Sequence, residues 1–132
     1  MNTVKNIFLV DDDKTFVYLT MRTIKSTKVD AVLKDFGDGL EAIEYLKLIA
    51  DNAALLPDII LLDLSMPVMD GWEFLKEYII LEPNIIKKSK VYIYSSSISP
   101  HDIERAKKIN VVTDFIIKPL MKEKFIEIVN SC

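Results

Sequence analysis

The chain has little sulfur or imidazole chemistry to offer: one cysteine, Cys132 at the last position, and one histidine, His101. A single cysteine excludes an intramolecular disulfide and a cysteine-rich metal site, so Cys132 reads as a plain terminal thiol. Without clusters of either residue, no donor set is present to select zinc or copper. No apolar run approaches the ~18 residues needed to cross a bilayer, and Met1 to Asn6 lacks the charged and apolar regions of a signal peptide. A soluble, cytoplasmic protein is expected. The net charge of -3, with no dense basic stripe, argues against a direct grip on nucleic acid. Any effect on a gene would pass through a partner protein. Internal repeats, low-complexity segments and linkers are also missing.

What is present is an ordinary globular balance, 50% apolar and 28% charged over 132 residues, which suits one domain (1–132) with a real core and no output domain attached. The organising stretch runs from Pro57 to Gly71. Ile59 to Leu62 is an unbroken apolar run of strand length, the pattern of a strand covered on both faces. Asp63 follows at once. Pro67 and Gly71 then punctuate a loop, and Asp70 with Glu73 gives the pattern of a helix N-terminus, for a helix carrying Phe74, Leu75 and Tyr78 that ends before Pro83.

The remaining elements read in the same way. Asn6 to Val10 is an apolar strand ending in Asp11, Asp12 and Asp13, with Asp13 the cap of a helix from Lys14 to Ser26 whose stripe is Val17, Met21 and Ile24. Ala31 to Phe36 predicts a second strand. Asp38 and Glu41 start a helix that runs to about Asp51, with Leu40, Ile43, Leu46 and Leu48 on its apolar face. Lys87, Lys88 and Lys90 mark a polar turn. Val91 to Tyr94 predicts a fourth strand, ending in Ser95, Ser96 and Ser97. Ser99, Pro100 and Asp102 open a helix to about Ile109, with His101 a surface residue of its first turn. Asp114 to Ile117 predicts strand five, ending in Lys118-Pro119, and Lys122 to Asn130 a last helix with Phe125, Ile128 and Val129 inward. Five strands alternating with five helices predict an α/β, doubly wound parallel sheet.

In such a sheet the carboxyl ends of the strands share one edge, where ligands bind. Asp11 and Asp12 follow strand one, Asp63 strand three, Ser95 strand four and Lys118 strand five, while strand two, at an edge, contributes nothing. Two carboxylates ~4 Å apart repel by ~4 kcal/mol at an effective dielectric of 20, and one lysine cannot offset three of them. The remaining charge of about -2 suits a hard divalent cation held by oxygens, Mg²⁺ above all, and Mg²⁺ welcomes phosphate oxygens. Ser95 and Lys118 can supply further contacts to a phosphoryl group.

Val10-Asp11-Asp12, Asp63-Leu64-Ser65-Met66-Pro67 with Met69-Asp70-Gly71, Ser95 after a strand, and Phe115-x-x-Lys118-Pro119 together resemble the receiver domain of two-component response regulators. The likeness spans the whole chain and is greatest to stand-alone regulators of the chemotaxis type. It implies a flavodoxin-like strand order 2-1-3-4-5. It implies that Asp63 accepts a phosphoryl group from a phosphohistidine of a sensor kinase or phosphotransfer protein. It further implies that Asp12, Asp63 and the Ser65 backbone carbonyl ligate Mg²⁺, with Asp11 acting through water. Lys118 would pair with Asp63 and then with a phosphoryl oxygen, Ser95 would reach another, and Phe115 would rotate inward behind it. The face of the last two helices would then meet a downstream protein partner.

By the same resemblance Ser65 and Ser97, each two residues past a site residue, tune the phosphoryl lifetime. Lys118-Pro119 is cis, against a background of roughly 5%. Ser95 stands where threonine is commoner, Ser96 keeps the small size usual there, and Asn110 to Asp114 lacks the glycine-containing turn common before strand five. Trp72, beside the site, reads as half-buried packing. No enzyme is implied beyond self-phosphorylation and slow autodephosphorylation, and a monomer and a phosphorylation-linked dimer both fit.

Three other readings compete. A small Mg²⁺-dependent aspartyl phosphotransferase of the haloacid dehalogenase type would need a second aspartate where Ser65 stands, and a cap to enclose its substrate. A phosphorylation-independent interaction module would be favoured by loss of the acidic pair, the nucleophile or the lysine, all of which are present. A flavin site would meet three aspartates and no glycine- or hydroxyl-rich phosphate loop after strand one.

Overall fold

The computed structural model describes residues 4–131; Cys132, and Met1 to Thr3 of the leader reading, lie outside them. Five strands, β1 Lys5–Val10, β2 Ala31–Phe36, β3 Ile59–Leu62, β4 Lys90–Ser95 and β5 Val112–Ile117, alternate with α1 Lys14–Ser26, α2 Gly39–Leu48, α3 Gly71–Leu81, α4 Pro100–Lys107 and α5 Lys122–Asn130. All strand pairs are parallel, in the order β2-β1-β3-β4-β5. This is the doubly wound, flavodoxin-like sheet expected from the alternation of strands and helices. Among the described residues no helix is long and apolar enough to cross a membrane.

Side-chain alternation divides the core. Phe8, Val10, Ile60 and Leu62 face α2 and α3, packing with Ile43, Leu46, Phe74 and Tyr78. Ile7, Leu9, Ile59, Leu61, Tyr92 and Tyr94 face α1 and α5, packing with Val17, Ile24, Phe125 and Ile128. β1 and β3 are therefore apolar on both faces, as central strands of a covered parallel sheet must be.

The caps are those the sequence indicates. Asp13 accepts from the Thr15 and Phe16 amides, Asp38 from Glu41, and Asp70/Glu73 and Ser99/Asp102 close reciprocal capping boxes. Each satisfies amides that a helix start otherwise leaves without partners.

Some boundaries and faces differ. Leu40 and Leu48 do not join the apolar face of α2: they are 38% and 77% exposed, and Ala42, Ile43 and Leu46 form the stripe. The helix stops at Leu48 instead of about Asp51, because Ile49 leaves helical geometry and turns into the core. On α1 the buried position is Thr20, and Met21 is half-buried. α4 ends at Lys107 rather than about Ile109. β5 begins two residues before Asp114: Val91 pairs with Val112 and Tyr92 with Asp114, so Thr113 is an extra, bulged residue. Lys87 is more than a solubilising charge. Its ammonium lies 3.0 Å from Asp58 Oδ1 and donates to the Leu56 carbonyl, tying the turn before β4 to the segment before β3.

Between β3 and α3 the chain is held tightly. Gly71 donates to the Leu64 carbonyl, and a Cβ on it would lie 2.5 Å from the Asp63 carbonyl oxygen, so only glycine fits beside the end of β3. Met69 donates to the Pro67 carbonyl, closing a three-residue turn over Val68, whose φ is 64°. A β-branched residue in the left-handed region is strained, and Val68, 74% exposed, gains little packing in return. Val68→Gly is expected to raise stability by about 0.5–1 kcal/mol, the relief of strain outweighing glycine's entropy. Urea unfolding measures this; a less stable glycine variant would show that the side chain matters more than the backbone.

Candidate functional site

Register brings the acidic residues together. Val10 pairs with Leu62, so the next residues, Asp11 and Asp63, leave neighbouring parallel strands side by side. The Asp63 amide still donates to the Val10 carbonyl at 2.9 Å. Strands about 4.8 Å apart leave such carboxylates little room to separate. Asp11, Asp12 and Asp63 each offer an oxygen, all within 4.8 Å of one another. Asp11 is fully buried, Asp63 7% exposed and Asp12 exposed, which gives the cluster one open side.

Lys118, also buried, enters from the end of β5. Its Nζ lies 2.6 Å from Asp11 Oδ2 and 3.6 Å from Asp63 Oδ2. The resemblance implied a pairing with Asp63; the closer partner is Asp11. Buried Asp11 Oδ2 is thus held by the ammonium in a close ion pair, while Oδ1 accepts from the Asp13 amide at 3.0 Å.

Burial pushes the Asp63 carboxyl up to about 6; the Lys118 ammonium lowers it, the Asp11 charge raises it, and the Ser65 and Leu64 amides lower it. Burial thus outweighs the lysine, and Asp63 keeps its proton to a higher pH than an ordinary aspartate. Three hard oxygens within 4.8 Å of one another, with a single lysine too few to neutralise them, fit a divalent cation of the Mg²⁺ type.

Ser95 alternates with Tyr94 along β4 and Phe115 with Ile116 along β5, so both fall on the face of Ile93 rather than that of Tyr94. Ser95 Oγ donates to the Ser97 carbonyl at 3.1 Å and accepts from the Ser97 amide at 3.3 Å. The hydroxyl is thus engaged by its own loop. Ser65, Ser95 and Ser97 line an open cavity of about 380 Å³ with Asp70, Trp72 and Asp102. Phe115 is half-buried and packs against the cluster of Leu64, Ile93 and Ala106. Trp72 is half-buried as expected, with the Arg105 guanidinium 4.3 Å from its ring centre. His101 is exposed, and Lys118-Pro119 is cis.

Sequence reading missed the surroundings of Lys118. Phe16 and Tyr94 present their rings to its ammonium at 4.8 and 5.4 Å, and Thr20 reaches the Tyr94 hydroxyl at 2.7 Å. Spacing could have found Thr20, three residues from Val17 and four from Ile24. Alternation along β4 could have placed Tyr94 on the side of Lys118.

Residues 7–130, which make up this doubly wound sheet with carboxylates, a lysine and a hydroxyl at its carboxyl edge, match the response regulator receiver domain, a class of signalling domain. The chain belongs to that family. It is 29% identical to the chemotaxis protein CheY of Thermotoga maritima over 93% of each chain. It is 31% identical to the response regulator Rcp1 of a Synechocystis species over 83% of this chain and 74% of that one. A two-component response regulator from Cytophaga hutchinsonii superposes with a TM-score of 0.87 at 27% identity, covering 99% of this chain and 97% of that one. Receiver domains are signalling domains rather than metabolic enzymes, bind Mg²⁺ through acidic residues and interact with histidine kinases and effectors.

The raised Asp63 carboxyl has a measurable consequence. A shift from 3.8 to about 6 corresponds to about 3 kcal/mol held against the folded state when Asp63 is ionised. This penalty is full above pH 6 and is lost as pH falls from about 6 towards 3.8, where the folded protein already carries the proton. Asp63→Asn, without divalent cations, is therefore expected to be more stable than the parent by about 1–3 kcal/mol at pH 7.5. The gap should close by about pH 4. Urea unfolding at both pH values tests this; a less stable Asn variant at pH 7.5 would mean that the Lys118 attraction dominates.

Proposed function

We propose that the protein is a phosphorylation-dependent switch in which Asp63 accepts a phosphoryl group from a phosphohistidine of a sensor kinase or phosphotransfer protein. The observation that carries this reading is the buried Asp63 carboxylate beside Asp11, Asp12 and Lys118. At neutral pH it is mainly ionised and only 7% exposed, so little solvent must be stripped from it before it attacks. An Asp63 oxygen forms a bond to phosphorus as the histidine nitrogen–phosphorus bond breaks, and the imidazole leaves neutral after taking up a proton.

Asp12, Asp63 and the Ser65 carbonyl would hold Mg²⁺ directly and Asp11 through water. When bound, the cation screens the carboxylates and stabilises charge on the phosphoryl oxygens. Lys118 then exchanges its Asp11 and Asp63 contacts for a phosphoryl oxygen. Ser95 leaves Ser97 to bind another, and Phe115 turns inward. These contacts favour a pre-existing arrangement of β4, α4 and β5. The face of α4 and α5 is the proposed surface for the downstream protein. The chain acts as one receiver domain, as a monomer or a phosphorylation-linked dimer, and works in the cytoplasm.

Incubation with Mg²⁺ and acetyl phosphate is expected to add one phosphoryl mass to the parent, lost on chelation and absent from Asp63→Asn. If neither acetyl phosphate nor phosphohistidine donors modify the parent, and a beryllofluoride mimic leaves it unchanged, the protein is a phosphorylation-independent binding module. Ser65 and Ser97 line the same cavity as Leu64, the residue that follows Asp63. A tyrosine at either position is expected to exclude water and lengthen the phosphoryl lifetime by about threefold or more; equal decay rates in variant and parent would remove both from this role.

A further inference from the structure

Lys118 is held by more than charge. Its amide donates to the Ser95 carbonyl at 2.9 Å. Two residues on, the Leu120 amide donates to the Tyr94 hydroxyl at 3.1 Å, and that hydroxyl bonds Thr20 Oγ1 at 2.7 Å. Thr20, Tyr94 and Leu120 are 1%, 0% and 2% exposed. Consecutive residues of β4 thus fasten the chain on both sides of Lys118-Pro119, one through its backbone and one through its side chain. Phenylalanine would fill the same space at position 94, and a hydroxyl in an apolar core is costly unless bonded. Here it is bonded twice. One partner lies on α1 and the other on the segment that carries the ammonium.

We propose that Tyr94, with Thr20 behind it, is a positioning residue for Lys118 in phosphoryl transfer. The inference rests on the reading that Asp63 is phosphorylated. Lys118 Nζ sits 2.6 Å from Asp11 and 3.6 Å from Asp63, so it must shift towards Asp63 to meet a phosphoryl oxygen. A small shift reaches its target only if the backbone beneath the side chain stays fixed, because misplacement by about 1 Å can cost 10²-fold in rate. The Tyr94 hydroxyl supplies that fixed base by holding Leu120. The Tyr94 and Phe16 rings bound the space through which the ammonium moves.

The test uses Tyr94→Phe and the shape-conserving Thr20→Val, each alone and combined with Lys118→Ala. Two readouts are taken: the rate of phosphorylation by acetyl phosphate at saturating Mg²⁺, and the NMR signals of ε-¹³C-labelled lysine, with Lys118 assigned by its loss in Lys118→Ala. Tyr94→Phe is expected to slow phosphorylation about tenfold and Thr20→Val about threefold, with Mg²⁺ affinity unchanged within about twofold. In both variants the Lys118 ε signal should move towards those of the exposed lysines. In the Lys118→Ala background neither substitution should slow the reaction further, which a merely structural role would not produce. A parental rate with an unmoved Lys118 signal, or equal fractional losses with and without Lys118, would overturn the proposal. If Tyr94→Phe fails to fold, Thr20→Val decides by the same readouts. A parent that takes no phosphoryl group would overturn the function reading, and the lysine spectra would still decide whether Tyr94 places Lys118.

Discussion

The structure depends on an electrostatic mismatch at the carboxyl edge of the sheet. Three carboxylates are drawn within 4.8 Å by the register of β1 and β3, and one buried ammonium stands between two of them. In water such a cluster would disperse. Here the strands forbid it, because Val10 and Leu62 are paired, apolar on all sides and fully buried. The hydrophobic core thereby holds charges in an arrangement they would not adopt alone. The Asp63 carboxyl is raised chiefly by that burial, with the Asp11 charge adding to it against the pull of Lys118. A site held in this state gains from any cation or phosphoryl group that completes its contacts.

The two sides of the sheet divide the work. Asp11, Asp63, Tyr94 and Lys118 continue the alternation of residues that face α1 and α5, whereas Ser95 and Phe115 share the side of Ile93, towards α3 and α4. Charge placement is thus built into the α1 side, where buried hydroxyls and rings surround Lys118. The residues of the proposed switch lie on the other side, around an open cavity with a short, solvent-exposed serine loop. Buried charge and open serine loop thus occupy opposite faces of the same two strands.

Much of this was legible in the sequence for a physical reason. Strand boundaries at Ala31, Phe36, Ile59 and Leu62, and the helix starts at Lys14 and Lys122, are marked by abrupt changes in polarity or by capping residues. Asp11, Asp12, Asp63, Ser95 and Lys118 could be gathered on one edge because parallel strands make that edge common. Less legible were features decided by neighbours distant in sequence. Leu40 and Leu48 are apolar but lie off the stripe that α3 and the sheet cover. The early start of β5 is a bulge set by pairing with β4. The preference of Lys118 for Asp11 arises from burial and approach, and no local pattern encodes it. The serine loop's own bonds to Ser95 likewise cannot be read from residue type.

The proposed switch can be weighed against those bonds. Ser95 holds Ser97 through two solvent-exposed contacts of 3.1 and 3.3 Å, worth about 0.5–1.5 kcal/mol each at most. Hydrogen bonds to a charged phosphoryl oxygen are worth about 1.5–3 kcal/mol each. Reversing a two-state equilibrium from 1:99 to 99:1 takes about 5.5 kcal/mol. One serine contact, discounted by the bonds it gives up, falls well short of that. The Lys118 contact must supply much of the remainder, and it can do so only if the two arrangements of β4 and β5 differ in how well the ammonium meets the phosphoryl oxygen. Lys118 and Ser95 are linked through the backbone, the Lys118 amide donating to the Ser95 carbonyl at 2.9 Å. A displacement of one is therefore felt by the other. In the proposed switch the deciding energy would then come from the buried lysine, and the serine loop would determine which surface responds.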